Sequence, residues 1–156
     1  MLSLEQDPAN LPYITPWERT QHEAAIRFPD FRHFIIEAGS GLESAGFIIL
    51  IGCRSQHHAL ELKRMVVRDK SQGCGRAALR VAKKVAFDDL GAHRFWLDVK
   101  SRNTRAEALY GGEGFQVEGR LREAVRVEGG YESLVVMSML HAEFAQRRSA
   151  GLELQA

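Results

Sequence analysis

The chain has 156 residues, of which 45% are hydrophobic, enough to bury one substantial core in a single domain. Its 21 Lys and Arg residues balance 20 Asp and Glu residues to a net charge of +1, so no overall charge excess points to a nucleic-acid or membrane-surface partner. The longest apolar run, GFIILIGC, is too short to span a bilayer, and two cysteines without a secretory signal predict a reducing, cytoplasmic location.

The first half of the chain predicts a sheet that begins antiparallel. Prolines break the first 31 residues into turns and one short helix around residues 16–28. Apolar runs at residues 33–38 and 47–52, separated by a glycine- and serine-rich turn, predict a hairpin. Residues 60–67 alternate in polarity and predict a third strand, which ends at a charged loop.

A long amphipathic helix is predicted directly after Gly75. Apolar residues recur three and four positions apart, whereas charged residues collect on the opposite face. The predicted core face is Ala78, Val81, Ala82, Val85 and Ala86, and the predicted solvent face is Arg76, Arg80, Lys83, Lys84 and Asp88.

The second half predicts a buried strand, a short helix and a long hairpin. The strand covers residues 94–99, and Asn103 then opens a helix with Ala106, Leu109 and Tyr110 on one face. Two long strands follow around a turn at residues 128–130. Residues 1–140 are predicted to form the single domain, and residues 141–156 a polar, mobile tail.

The loop DKSQGCGRAALR, residues 69–80, places Gly73 and Gly75 at the entrance of the long helix. Unpaired backbone N–H groups and the helix dipole favour an anion there, and glycines let a phosphate approach closely. A plain tight turn is the alternative. Gly73, Gly75 and Ala78 also fit the G-x-G-x-x-G/A pattern of dinucleotide-binding folds, although the preceding hairpin does not suit a βαβ unit.

Two separated motifs in the same order resemble the Gcn5-related N-acetyltransferase (GNAT) family. Residues 70–75 match its Q/R-x-x-G-x-G/A signature with Lys70 in the first position, and residues 103–115 match its Asn-to-Tyr helix with a Gly-Phe turn. Residues 118–140 look most like the ribosomal-protein N-terminal acetyltransferase branch. The resemblance implies an α/β fold with a mixed, mostly antiparallel sheet flanked by helices, in which the usual first strand has no counterpart.

The resemblance also implies that acetyl-CoA is the acyl donor. The pyrophosphate would be held by the loop, and the pantetheine arm would run along Met65, Val66 and Val67. The implied loop residues are Lys70, Gln72, Gly73, Cys74, Gly75, Arg76 and Ala77, with Asn103 and Ala106 as further cofactor contacts. No metal site is predicted, because the adjacent His57 and His58 lack a second pair of ligands.

Three residues are candidates for catalysis. The family places a tyrosine at the position of Tyr110 as the general acid, with a core aromatic as the plain alternative. Since an amine must lose a proton before it attacks, Asp98 and Glu61 are the candidate bases. The predicted acceptor is a primary amine, and the branch resemblance suggests a protein N-terminal α-amine. A non-catalytic acyl-CoA-binding module is the alternative from another functional class.

Without the family's first strand, residues 33–38 would form an open edge of the sheet. Proteins seldom leave such an edge uncovered. We therefore predict a homodimer, or a local segment that covers the edge.

Overall fold

The computed structural model describes residues 1–37, 44–70 and 73–154. Its strands are β1 (Phe31–Glu37), β2 (Ser44–Ile51), β3 (Ala59–Val67), β4 (Arg94–Lys100), β5 (Gln116–Val127) and β6 (Gly130–Leu140). Its helices are α1 (Leu2–Glu5), α2 (Arg19–Arg27), α3 (Cys74–Lys84), α4 (Thr104–Gly112) and α5 (His141–Ser149). A π-helical turn, Val85–Asp89, continues α3.

The described strands form one six-stranded sheet in the order β1-β2-β3-β4-β6-β5. Every neighbouring pair is antiparallel except β3 and β4, which are parallel. The predicted mixed, mostly antiparallel sheet is therefore confirmed, and the doubly wound parallel sheet of a dinucleotide-binding fold is not present among the described residues. The predicted first hairpin is also confirmed, but most of its turn lies at residues 38–43, outside the described residues.

The sheet is covered unequally on its two faces. One face packs on α3, α4 and α5, and its core contains Leu79, Leu97, Met137 and Phe144. The other face carries a smaller cluster of Leu4, Phe47, Ile49 and Val66, formed by the N-terminal segment over β2 and β3. That second layer covers β4 and β6 only in part. Lys100 on β4 is buried and bonded to the N-terminal segment, whereas Asp98 on the same strand is exposed, so this face is open to solvent around Asp98.

The buried face of α3 differs from the predicted one. Val81, predicted for the core, is 52% exposed, whereas Lys83, predicted for solvent, is fully buried. Leu79, which was not among the residues predicted for the core face, is fully buried in the core. The physical reason is that Lys83 has buried anionic partners, Glu113 and Glu153, which compensate its charge away from water.

The prediction of a polar, mobile tail after residue 140 is wrong for most of that segment. Residues His141–Ser149 form α5, and Phe144 is buried and stacks on Phe87 with ring centroids 4.6 Å apart. Glu153 is also buried, at 6% exposure. Although the segment is mostly polar, the buried side chain of Phe144 and the buried ion pair between Glu153 and Lys83 hold it against the domain. No helix in the described part of the chain has the length and apolarity to cross a membrane.

Strand β1 lies at one end of the sheet and pairs only with β2 among the described residues. Phe34 and Ile35 on this strand are 36% and 52% exposed. We expect a homodimer that covers this edge, because an exposed apolar edge favours strand pairing between chains. Sedimentation velocity should show a dimer that Ile35→Lys dissociates. A strict monomer at tens of micromolar protein would contradict the prediction.

Candidate active site

Strands β3 and β4 separate, and the cleft lies beside the point of separation. They pair only from Ala59 to Glu61 on β3 and from Arg94 to Trp96 on β4, although both strands continue further. The cleft has a volume of about 530 Å³. Its walls are Met65, Val66 and Val67 of β3, Lys70, Gly73, Gly75 and Arg76 of the following segment, Asn103, Arg105, Ala106, Ala108, Leu109 and Tyr110 of the α4 region, and Asn10, Tyr13 and Ile14.

The glycine loop forms one end of this cleft. Gly73 is the N-cap of α3 and adopts the left-handed conformation, with φ of +82°. The carbonyl of Gly73 accepts a hydrogen bond from the Ala77 N–H at 3.0 Å, so that amide is already used within the helix. Cys74 and Ala77 do not line the cleft, and Gln72 lies outside the described residues. The cleft therefore brings together Lys70, Gly73, Gly75 and Arg76 from the predicted loop set.

Helix α4 supplies the opposite wall. Asn103 caps this helix, since its side-chain oxygen accepts a hydrogen bond from the Ala106 N–H at 3.2 Å. Both residues line the cleft. Asn103 thus caps α4 and also lines the cleft, so its roles as a helix cap and as a predicted cofactor contact are compatible with the structure.

Tyr110 reaches the cleft from within the core. It is 8% exposed, and its ring centroid lies 6.0 Å from that of Phe115. Burial, with a smaller contribution from the negative charge of Asp98, raises the pKa of Tyr110 to about 12. The hydroxyl is consequently protonated at neutral pH, as a proton donor must be.

The two predicted carboxylates lie outside the cleft walls. Asp98 is exposed on β4 between Leu97 and Val99, whose side chains are in the core beneath α3, so Asp98 points to the opposite, open face of the sheet. Glu61 is half-buried, and its carboxylate lies 3.1 Å from Lys63 Nζ. Asp98 has no ion pair within 4.0 Å among the described residues, which leaves its charge available to an incoming cation.

A segment near the N-terminus, residues 9–15, forms a roof over the cleft that the sequence did not predict. Cationic side chains from the body of the domain bind its backbone carbonyls. Arg64 donates to Thr15 O at 2.9 Å, Lys100 donates to Pro12 O at 3.2 Å, and Lys70 donates to Ala9 O. These three bonds hold the roof in place from two strands and one loop.

Lys70 therefore has a partner other than the phosphate predicted for it. Its ammonium also lies 5.8 Å from the ring centroid of Tyr13 in the roof. Burial, together with the nearby positive charge of Arg105, lowers the pKa of Lys70 below its usual value, although Asp7 opposes the shift. Arg105, which sequence reasoning missed, is a further cation on the cleft wall.

The charge of the cleft matches a polyanionic ligand. Lys70, Arg76 and Arg105 line it, and no Asp or Glu is among its described lining residues. Gly73 and Gly75 at the N-terminus of α3 line the same end of the cleft, and this helix N-terminus has no side-chain cap, which favours an anion there. The residues present thus fit the phosphates of coenzyme A. Among the described residues, no group of three or more His, Cys, Asp or Glu side chains is placed to hold a metal ion.

A model of the acetyltransferase (GNAT) family matches residues 1–115 of the chain. The chain belongs to this family. Its enzyme class is accordingly that of an N-acetyltransferase, with acetyl-CoA as the acyl donor, and the order of strands and helices around the cleft agrees with that assignment.

This acetyltransferase is similar to several known proteins. It is 26% identical to the spermidine N(1)-acetyltransferase of Vibrio cholerae over 117 residues, which cover 74% of this chain and 67% of that protein. It is 33% identical to an uncharacterized N-acetyltransferase of Mycobacterium tuberculosis over 101 residues, 62% of this chain and 64% of the other. The chain thus spans about two thirds of the length of these curated relatives.

The fold of this chain is also similar to that of a solved structure. The spermidine N-acetyltransferase of Vibrio cholerae in complex with CoA and spermine superposes with a TM-score of 0.82 at 23% identity, over 92% of this chain and 89% of that one. At this identity the superposition shows a shared fold alone. The ribosomal-protein branch suggested by residues 118–140 is not the branch of these relatives, and that assignment stays a prediction.

Proposed function

We propose that the protein transfers the acetyl group of acetyl-CoA to a small primary amine that carries further amino groups. The observation that carries this proposal is the unpaired, exposed carboxylate of Asp98 on the open face of β4, within the part of the chain that the structure describes. The cationic cleft suits the phosphates of the donor, whereas this face presents a negative charge to the acceptor. The spermidine acetyltransferase relative supports the same acceptor class.

The open face around Asp98 carries further acidic groups. Glu61 on β3 pairs in register with Trp96 on β4, and Trp96 pairs with Ser138 on β6. Glu118 on β5 accepts a hydrogen bond from the Ser138 hydroxyl at 2.7 Å. Hydrogen bonds from Ser138 and then Arg94 keep the pKa of Glu118 below its usual value, so it is ionised at neutral pH.

These paired carboxylates differ in role from Asp98. Glu61 already has Lys63 and Glu118 already has Arg94 as cationic partners. Each could exchange its present cation for a distal ammonium of the acceptor, because one positive partner then replaces another and the carboxylate stays paired. Asp98 is therefore the group that receives the reacting amine, and the other two extend the recognition of a multiply charged acceptor.

The proposed reaction needs one proton removed and one supplied. Acetyl-CoA supplies the acetyl group as a thioester. Asp98 takes the proton of the amine through water, since its side chain is short, and Tyr110 holds a proton for the leaving sulfur. The charge of Asp98 acts on the pKa of Tyr110, which indicates that the two groups share one electrostatic environment.

A thioester-cleavage assay with a panel of amines tests the proposal. Spermidine should react faster than propylamine, because only the former can use the additional carboxylates. Faster reaction of peptides with free N-termini would instead support the protein α-amine suggested by residues 118–140. Binding of acetyl-CoA without cleavage for any amine would identify a non-catalytic acyl-CoA-binding module.

Replacement of Asp98 by asparagine should lower kcat/KM most at low pH. An alkyl amine has a pKa near 10, so at pH 6.5 it is almost fully protonated, and loss of the base should cost about 10²-fold. The loss should shrink as the pH approaches the pKa of the amine, where the neutral form is already abundant. The measurement is a pH profile of kcat/KM for both proteins.

Glu61→Gln is the matched control, because Glu61 is the neighbouring carboxylate on the same face but is paired with Lys63. A larger pH-dependent loss at Glu61 than at Asp98 would transfer the role of base to Glu61. Profiles like that of the wild type for both variants would show that the amine reaches the site already neutral.

A further inference from the structure

Glu113 at the end of α4 is a fully buried carboxylate. Glutamate is rarely buried in this way unless cationic partners compensate its charge. Three cations from successive turns of α3 surround it. Arg76 Nη1 lies at 2.7 Å, Arg80 Nε at 3.0 Å and Lys83 Nζ at 3.1 Å from its oxygens. One carboxylate therefore ties one face of α3 to the end of α4.

The ionised state of Glu113 is stable in this position. Burial acts to raise its pKa, but hydrogen bonds from Arg80 and Lys83 and the charges of both outweigh it and lower the pKa below the usual value. The same partners keep the carboxylate in one orientation, because both of its oxygens accept hydrogen bonds. Such a fixed, charged acceptor can orient a flexible side chain.

The three cations are not equivalent. Lys83 also donates to Glu153 at 2.6 Å and to the Glu113 carbonyl at 2.9 Å, so it belongs to the buried core. Arg80 is 37% exposed but does not line the cleft. Arg76 is 51% exposed and lines the cleft beside Gly75. Glu113 thus has three different partners: Lys83 in the core, Arg80 at the surface and Arg76 at the wall of the cleft.

We propose that Glu113 is a positioning residue that holds the guanidinium of Arg76 at the cleft wall, facing a phosphate of the coenzyme. Arg76 donates a hydrogen bond from Nη1 to the Glu113 carboxylate. The other N–H groups of its guanidinium are then available to bind an anion. An arginine held in this way loses little conformational freedom when the ligand binds. The inference rests on the proposed function, in that the cleft must hold acetyl-CoA.

The test is acetyl-CoA affinity, measured by titration calorimetry on the full chain with four variants. Arg76→Gln should raise Kd about 10-fold, as expected for one charge-assisted hydrogen bond. Glu113→Gln should raise Kd by a similar factor, and the double variant should bind no more weakly than Arg76→Gln alone. Arg80→Gln is the matched control, because it removes another partner of the same carboxylate, and should change Kd less than about 2-fold.

Steady-state kinetics separate positioning from general damage. Glu113→Gln should raise the KM for acetyl-CoA with kcat nearly unchanged. If Glu113→Gln does not fold, Glu113→Asp keeps the buried negative charge but shortens the side chain by one methylene, which weakens the short contact with Arg76, and should also raise Kd. An unchanged Kd for the folded variant would overturn the inference.

Other outcomes would overturn it as clearly. Tighter binding by Glu113→Gln would show that the carboxylate neutralises Arg76 instead of orienting it. Equal losses for Arg80→Gln and Glu113→Gln, or losses that multiply in the double variant, would show a structural role without coupling to Arg76. Failure of the wild-type protein to bind acetyl-CoA would refute the proposed function itself. Binding by the wild type together with an unchanged Kd for Glu113→Gln would refute only the inference about Glu113.

Discussion

Replacement of Gly75 by valine is expected to abolish measurable acetyl-CoA binding while the protein keeps its fold. A Cβ at Gly75 would meet only Leu109 Cδ2 at 3.7 Å and Val67 Cγ2 at 3.8 Å, which are ordinary van der Waals contacts. The domain can therefore accept a side chain there. The same side chain would stand over the first N–H groups of α3 and block the approach of a phosphate.

The measurement is Kd by calorimetry beside the melting temperature, and Kd should rise at least about 100-fold. Gly111→Val is the control, because Gly111 lies in α4 and does not line the cleft, and a Cβ added to it would meet no described atom within 4 Å apart from its chain neighbours and the backbone of its own helix. It should bind acetyl-CoA as the wild type does. Binding by Gly75→Val within about 3-fold of wild type would show that the glycine loop is only a tight turn.

The regular elements could be predicted because their signals are local. The apolar run of β2 and the alternation in β3 each lie within ten residues, and Asn103 caps its helix three residues away. The part of the cleft formed by Met65–Val67, Gly73 and Gly75 follows from the same local order of strand, loop and helix. Where a strand, a loop and a helix cap follow one another in sequence, the local residue pattern is enough to predict how they are arranged.

Buried charges escaped prediction because their partners are distant in sequence. Glu5 is fully buried and accepts from Arg64 at 2.9 Å across 59 residues, and Lys83 reaches Glu153 across 70 residues. A periodicity argument assigns a lone charged residue to solvent, since burial without a partner is costly. Only the tertiary fold brings the compensating charge to it. The same reason explains why Glu113 had no signal in the sequence.

The roof over the cleft was missed for a related reason. Residues 9–15 form no long helix or strand, and their order comes from bonds between backbone carbonyls and the side chains of Arg64 and Lys100. Any residue type has such a carbonyl, so the segment itself carries no pattern. Its position shows that the N-terminal residues, uninformative in sequence, form one wall of the site.

Replacement of Tyr110 by phenylalanine should lower kcat by roughly 10²-fold or more with little change in the Kd for acetyl-CoA. The substitution keeps the ring in the core beside Phe115 and removes only the hydroxyl. Because the pKa of Tyr110 is raised to about 12, the hydroxyl is protonated across the working pH range. The wild-type kcat should therefore show no decline from deprotonation of Tyr110 below about pH 11, since an acid stays active until its own pKa is approached.

The second tyrosine of the cleft provides the control for this variant. Tyr13 lines the cleft from the roof and is 36% exposed, so Tyr13→Phe removes an equivalent hydroxyl from the same cavity without touching the core. It should leave kcat within about 3-fold of wild type, because a hydroxyl that transfers no proton contributes only a binding contact. Single-turnover rates with a substrate for which chemistry is limiting make the comparison direct. An unchanged rate for Tyr110→Phe would assign Tyr110 to the core alone, and another proton donor, water included, would have to serve the leaving sulfur.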